Sequence, residues 1–158
     1  LVQPYAAEEE ISAVIDQYGK LVRRICFLYL KNPQDVEDVF QEVFIKVFLT
    51  NQTFQNEQHR KAWLCRVTYN KCKDFKRSFW SRRVQTYEEV EIPYESQEER
   101  NILEDVMALP AKYKWVIYLH FYEGYTIPEI GDITRQNTST VYSQLRRAKE
   151  KLRKEMGG

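Results

Sequence analysis

The chain has 158 residues, enough for one ordinary domain or two small ones; 43% are hydrophobic and 30% charged. No apolar run approaches membrane-spanning length, so direct membrane insertion is not expected. Three cysteines (Cys26, Cys65 and Cys72) form no ligand-spaced pair, and an odd number argues against a disulfide framework. They read as small buried hydrophobes in a reducing, cytoplasmic setting. No secretory signal is visible, and a start at Leu1 rather than Met reads as a trimmed terminus.

A net charge of +1 conceals strong patterning. Residues 60–83 hold nine basic residues and one acid, and residues 135–154 hold seven and one. Between them, residues 86–99 hold six glutamates and no basic residue. Two basic blocks separated by an acidic one predict two polyanion contacts.

Ala6 to Leu30 predicts a helix on the spacing of Ile11, Val14, Ile15, Tyr18, Val22, Ile25, Cys26 and Tyr29, stopped by Asn32-Pro33, with Gly19 a tolerated weak point. Asp35 to Leu49 predicts a second, with Val36, Val39, Phe40, Val43, Phe44, Val47 and Phe48 on its apolar face. Asp35, Glu37, Asp38, Gln41 and Glu42 line the other side. Acids in the first turns suit the helix dipole; five polar residues so close together also suit docking to a basic partner. Asn51 to Gln58 reads as a loop.

A third helix is predicted over Arg60 to Phe79. Ala62, Trp63, Val67, Tyr69, Cys72, Phe75 and Phe79 are interleaved there with Arg66, Lys71, Lys73, Lys76 and Arg77. Rings beside cations suit single-stranded or melted nucleic acid; a basic face over a packed aromatic stripe has the same pattern. Residues 80–97 lack a sustained period and read as a flexible linker. Glu98 to Leu109 and Ala111 to Tyr122 predict two further helices. The latter turns Tyr113, Val116, Ile117 and His120 or Phe121 inward and is closed by Gly124.

In the last stretch, Thr126 N-caps a short helix, roughly Ile127 to Thr134, with Glu129 completing a capping box. Pro128 sits in its first turn, and Tyr125 and Ile130 stand at the positions of a hydrophobic staple. Asn137 caps a second helix, on which Val141, Leu145, Ala148, Leu152 and Met156 form one apolar stripe. A capped short helix, a turn and a basic second helix make the pattern of a helix-turn-helix. A soluble helical hairpin has the same pattern. No segment has strand period, so the chain reads as all-α: two small helical domains (6–79 and 98–156) joined by the linker. There is no Gly-rich phosphate loop, no metal-spaced Cys/His set and no nucleophile elbow. His59 and His120 read as structural or surface residues. Neither catalysis nor a cofactor is expected.

Four collinear blocks resemble the extracytoplasmic-function (ECF) group of bacterial RNA polymerase sigma factors: NPQDVEDVFQEVFIKVF (32–48), KAWLCRVTYNKCKDFKR (61–77), LPAKYKWVIYLHFYEGYTIPEI (109–130) and TVYSQLRRAKEKL (140–152). Any one block is weak; their order over about 10–156 is specific. The resemblance implies a promoter reader that docks on core RNA polymerase, with promoter DNA and an anti-sigma factor as further partners. The first domain would bind polymerase through Asp35, Glu37, Asp38, Gln41 and Glu42. It would meet the minus-ten element through Trp63, Arg66, Asn70, Lys73, Asp74 and Arg77, with the 51–58 loop near a flipped base. The second would meet the minus-thirty-five element through Ser139, Thr140, Tyr142, Ser143, Arg146 and Arg147. The other readings are a helix-turn-helix regulator acting without polymerase and a protein-binding adaptor.

The chain departs from that family's pattern at the turn, where Arg135 and Gln136 replace a glycine and an apolar residue. This predicts a looser turn without a staple onto Val141. Tyr142 stands where a basic residue is usual, and a phenol cannot make a bidentate guanidinium contact to guanine.

Overall fold

The computed structural model describes residues 4–30, 32–50, 53–80 and 96–155, and side chains within 10–30, 32–50, 53–75 and 96–154. The elements are α1 (Pro4–Tyr29), α2 (Pro33–Leu49), α3 (Glu57–Trp80), α4 (Gln97–Met107), α5 (Ala111–Ile117), a π turn (Tyr118–Tyr122), α6 (Ile127–Thr134) and α7 (Thr138–Glu155). All regular elements among the described residues are helical, as expected. The expected linker mostly falls outside the described residues; Trp80 ends α3 and Gln97 opens α4. The chain divides into two compact units between positions 93 and 94.

In the first unit α1, α2 and α3 pack on one another. The Asn32-Pro33 stop also starts the next helix: Asn32 accepts from the Gln34 N–H at 2.8 Å, and Pro33 takes the first turn. Such a cap contributes about 1 kcal/mol; burying one Val, Leu or Phe side chain contributes about 1.5–3 kcal/mol, so packing dominates. Val22, Ile25, Cys26, Val36, Val39, Val43, Leu64, Cys65 and Cys72 form the centre of that core. The expected apolar face of α2 ends early, because Phe48 is 41% exposed and Ile45 and Leu49 are exposed beside it. Thr68 is buried in α3, its hydroxyl satisfied by the Leu64 carbonyl at 2.7 Å. Among the described residues no helix is long and apolar enough to cross a membrane.

The second unit is built around α5, which packs on α4 and α7, and around the α6–α7 pair. Trp115, Tyr118 and Leu119 are fully buried with Leu103, Ile130, Val141 and Ala148. The expected continuous helix to Tyr122 instead widens into the π turn. The extra residue shifts the register, so Phe121 is 57% exposed and Leu119 points inward. Gly124 closes the segment at φ +80°, a conformation that favours glycine. The Tyr125 N–H then reaches back to the Leu119 carbonyl at 3.0 Å.

Candidate polymerase and nucleic-acid surfaces

The five polar residues of α2 separate into two groups. Asp38, Gln41 and Glu42 are exposed and share a face by i, i+3, i+4 spacing. Gln34 donates to Asp38 at 3.2 Å, and Lys71 of α3 stands 3.8 Å from Glu42. Glu37 is engaged internally: Arg23 of α1 pairs with both its oxygens while lying 3.9 Å over the Phe40 ring. The Arg23 hydrogen bond holds the Glu37 carboxyl below its ordinary range, against burial that pushes it up. Asp35 is half-buried in the first turn.

The α3 set also divides. Trp63 is 6% exposed and packs on Phe54 with ring centroids 5.3 Å apart, so its ring is a core element. Asn70, Lys73 and Asp74 are exposed, and Arg66 is half-buried. Lys73 stands 4.9 Å over the Tyr69 ring. The side chain of Arg77 lies outside the described residues.

Residues at the start of α3 form a cluster that the sequence pattern does not single out. The helix begins at Glu57, earlier than expected, because Asn56 accepts from the His59 N–H at 2.9 Å. His59 Nδ1 accepts from the Gln55 N–H at 3.3 Å, and its ring meets Phe54 edge-on. Tyr18 of α1 donates to Glu57, which also accepts from Gln17 at 3.0 Å. Burial first, then the Glu57 carboxylate, pushes the Tyr18 phenol up to about 12. Arg60 lies near both the Tyr18 and Phe54 rings. Phe54, an aromatic residue in an otherwise polar loop, is the available signal.

The helix-turn-helix follows the sequence closely. Thr126 and Glu129 form the capping box, and Tyr125 and Ile130 are both buried. The turn is not loosened, contrary to expectation. Arg135 takes the left-handed conformation (φ 56°, ψ 45°), and the Gln136 N–H reaches the Gly131 carbonyl at 2.9 Å. In place of an apolar staple, Gln136 exchanges two hydrogen bonds with Gln144 of α7 and donates to Thr134 at 3.0 Å.

Asn137 caps α7, accepting from the Thr140 N–H at 3.2 Å and from the Ser139 and Thr140 hydroxyls. Val141, Leu145 and Ala148 are buried and Leu152 is half-buried, while Met156 lies outside the described residues. Ser139, Thr140, Tyr142, Arg146 and Arg147 are exposed and Ser143 is half-buried. Tyr142 is 59% exposed, a phenol on the outer face of α7.

The sigma-70 region 2 family matches residues 14–82, and the sigma-70 region 4 family matches residues 100–152. The RNA polymerase sigma factor SigV of Bacillus subtilis is 32% identical over 134 residues, 82% of this chain and 81% of that protein. The chain belongs to the ECF sigma factors. The ECF sigma factor SigW of Bacillus subtilis is 24% identical to this sigma factor, across 94% of this chain and 90% of that one. Among solved structures, the sigma factor RpoE with the anti-sigma factor NepR from Bartonella quintana has a TM-score of 0.71 at 18% identity, covering 93% of this chain and 94% of that chain. CnrH with the cytosolic domain of CnrY has a TM-score of 0.67 at 19% identity, covering 94% and 88%. These structures support the fold of the sigma factor.

Proposed function

We propose that this sigma factor joins core RNA polymerase to promoter DNA through two separate surfaces, one on each unit. Asp38, Gln41 and Glu42 of α2, with Asp35 at its edge, are the polymerase-docking face. Exposed carboxylates attract a basic partner at long range and fix its orientation when it docks. Glu37 braces that face by holding α2 to α1 through Arg23. Asn70, Lys73, Asp74, Arg66 and Arg77 of α3 meet the minus-ten element. Trp63 contributes there by holding the Phe54 loop against α3. Ser139, Thr140, Tyr142, Ser143, Arg146 and Arg147 of α7 meet the minus-thirty-five element.

The observation that carries this reading is the composition of the α7 outer face. An Asn-capped helix presents exposed Tyr142 and Arg146 beyond a buried Val141–Leu145–Ala148 stripe. That is the arrangement in which a helix enters a major groove and its flanking cations meet phosphates. Every role here is binding and orientation. The protein works in the cytoplasm, where core polymerase and promoters are, and an anti-sigma factor is the partner that restrains it. Neighbours of similar fold support that last point, since one is a sigma factor held by NepR, an anti-sigma factor.

The test is capture of core polymerase by the purified chain, followed by transcription from a minimal promoter chosen from a random library. A sigma factor passes both steps. A regulator that acts alone binds promoter DNA but does not capture polymerase, and an adaptor supports no transcription. Either result overturns the reading.

A further inference from the structure

On the second unit, three cations converge on one phenol. Tyr113 of α5 is 7% exposed, its ring held in the core. Lys112 Nζ stands 5.0 Å from its ring centroid, and Lys151 Nζ of α7 stands 5.9 Å from it. Arg147 stands one helical turn before Lys151 on α7 and, like Lys112, acts on the Tyr113 phenol. Burial alone would push this phenol up; Arg147 and Lys112 bring it below its ordinary value of 10.0.

Among the described residues no carboxylate forms an ion pair with Lys112, Arg147 or Lys151. Glu150 lies three residues from Arg147 on α7, a spacing that brings it to the same side, yet no ion pair joins the two. Three like charges gathered by a buried anchor repel one another, and that repulsion is relieved when an oxyanion sits between them. The planar fork of an Arg matches phosphate oxygens, and two lysines beside it add point charges.

We propose that Lys112, Arg147 and Lys151, gathered by Tyr113, form a binding site for a backbone phosphate of the DNA duplex beside the reading face of α7. Duplex DNA is the source because Arg147 borders Tyr142, Ser143 and Arg146 on the same helix. A helix seated in a major groove has a phosphate strand along each side. This site rests on the assignment of the second unit to the minus-thirty-five element. Lys112 extends the interface onto α5, and Tyr113 is its positioning residue.

The test is a salt titration of the reconstituted holoenzyme on a promoter duplex, comparing wild type, K112A/K151A, K112R/K151R and Y113F. Removing two phosphate contacts makes the slope of log affinity against log salt shallower by about 1.8, at about 0.9 per contact. Affinity falls by the same factor on every single-base variant of the minus-thirty-five element, and K112R/K151R restores slope and affinity. Y113F keeps the ring and weakens binding with base preference unchanged. A K112A/K151A slope and affinity equal to wild type overturns the site while leaving the minus-thirty-five assignment standing. A changed base preference in K112A/K151A also overturns it, since the cations would then act through the placement of α7. Failure of wild type to bind differently when the minus-thirty-five element is scrambled removes the underlying assignment, and the site with it.

Discussion

Gln136 and Gln144 face each other across the helix-turn-helix and exchange a reciprocal pair of hydrogen bonds, 3.1 Å from Gln136 Nε2 to Gln144 Oε1 and 2.9 Å in return. Each amide uses one donor and one acceptor on the other, so the pair sets the turn and the second turn of α7 in a single register. Both side chains are half-buried, where removing one partner leaves the other short of a bond. Gln136→Ala and Gln144→Ala are each expected to cost about 1 kcal/mol of unfolding free energy. The double variant should cost less than the sum, with a coupling of about 0.5–1.5 kcal/mol. Denaturant titration of the four proteins measures it, and strict additivity would show that the two amides do not act together.

The same turn carries two backbone positions with opposite expectations. A Cβ on Gly131 would stand 2.8 Å from the Gln136 carbonyl oxygen, which is backbone and has little room to give. Gly131→Ala should therefore destabilise the second unit by about 1–3 kcal/mol, the range for overpacking. Arg135, at φ 56°, holds a conformation that strains an L side chain and suits glycine. Arg135→Gly should stabilise the unit by about 1 kcal/mol. Thermal melts that moved both variants in the same direction would contradict this account of the turn.

Legibility in the sequence follows the range of the interactions. The capping box at Thr126 and Glu129 and the cap at Asn137 depend on neighbours three residues away, and both are readable in place. The α7 stripe is readable too, because one regular helix keeps one period. Periodicity fails where the helix itself changes pitch. The π turn at Tyr118–Tyr122 inserts a residue, so a constant period sends Phe121 inward and passes over Leu119. Partners distant in sequence are equally invisible. Glu37 is one of five equivalent polar residues in the sequence, and only the fold brings Arg23 of α1 against it. The family resemblance sets Trp63 at the minus-ten element, and only the fold shows Phe54 and the core covering its ring. The Gln136–Gln144 pair spans only eight residues, yet an apolar template for that site gives no reason to seek two amides.

The proposed docking on polymerase can be tested apart from the integrity of α2. Asp38 and Glu42 are exposed; Asp38 meets Gln34, and Glu42 lies across from Lys71. Charge reversal at both, Asp38→Lys with Glu42→Lys, should weaken capture of core polymerase by at least about tenfold, the scale of a broken interfacial charge pair. Helix content by circular dichroism should remain that of wild type. Normal capture by the double variant would remove α2 from the docking surface.

Glu37 carries a pH signature of its own. Its carboxyl is depressed below the ordinary value of 4.5, chiefly by the Arg23 hydrogen bond and also by its charge, with burial opposing. A carboxyl depressed in the folded state binds its proton more tightly in the unfolded chain. The stability it contributes is therefore complete above the unfolded value and is lost as pH falls through the folded one. Glu37→Gln should lower the melting temperature at pH 7, and the difference from wild type should shrink below pH about 4.5. The partial exposure of both partners makes this a small effect, read as a difference between two melting curves. A gap that stayed constant from about pH 7 to about pH 3 would show that the pair makes no pH-dependent contribution.

The outer face of α7 predicts two distinct phenotypes. With Val141, Leu145 and Ala148 buried, positions 139, 142, 143 and 146 share the opposite face by i, i+3, i+4, i+7 spacing. Tyr142 and Arg146 are the long exposed side chains of that face in the N-terminal half, where helix-turn-helix proteins touch bases. Ser139 and Thr140 turn their hydroxyls back to the Asn137 cap. Tyr142→Ala or Arg146→Ala should change which minus-thirty-five base is preferred, at about 1–3 kcal/mol for each base interaction removed. Lys149 and Arg153 lie further along α7; Lys149 Nζ is 5.1 Å from the Phe121 ring. Neither reaches the N-terminal half, so Lys149→Ala or Arg153→Ala should weaken binding about equally on all sequences. The salt slope should become shallower by about 0.9 for each phosphate no longer neutralised. Holoenzyme binding to single-base variants of the selected element, at two salt concentrations, separates the two classes. Unchanged base preference in both Tyr142→Ala and Arg146→Ala would mean that the promoter is read by another face.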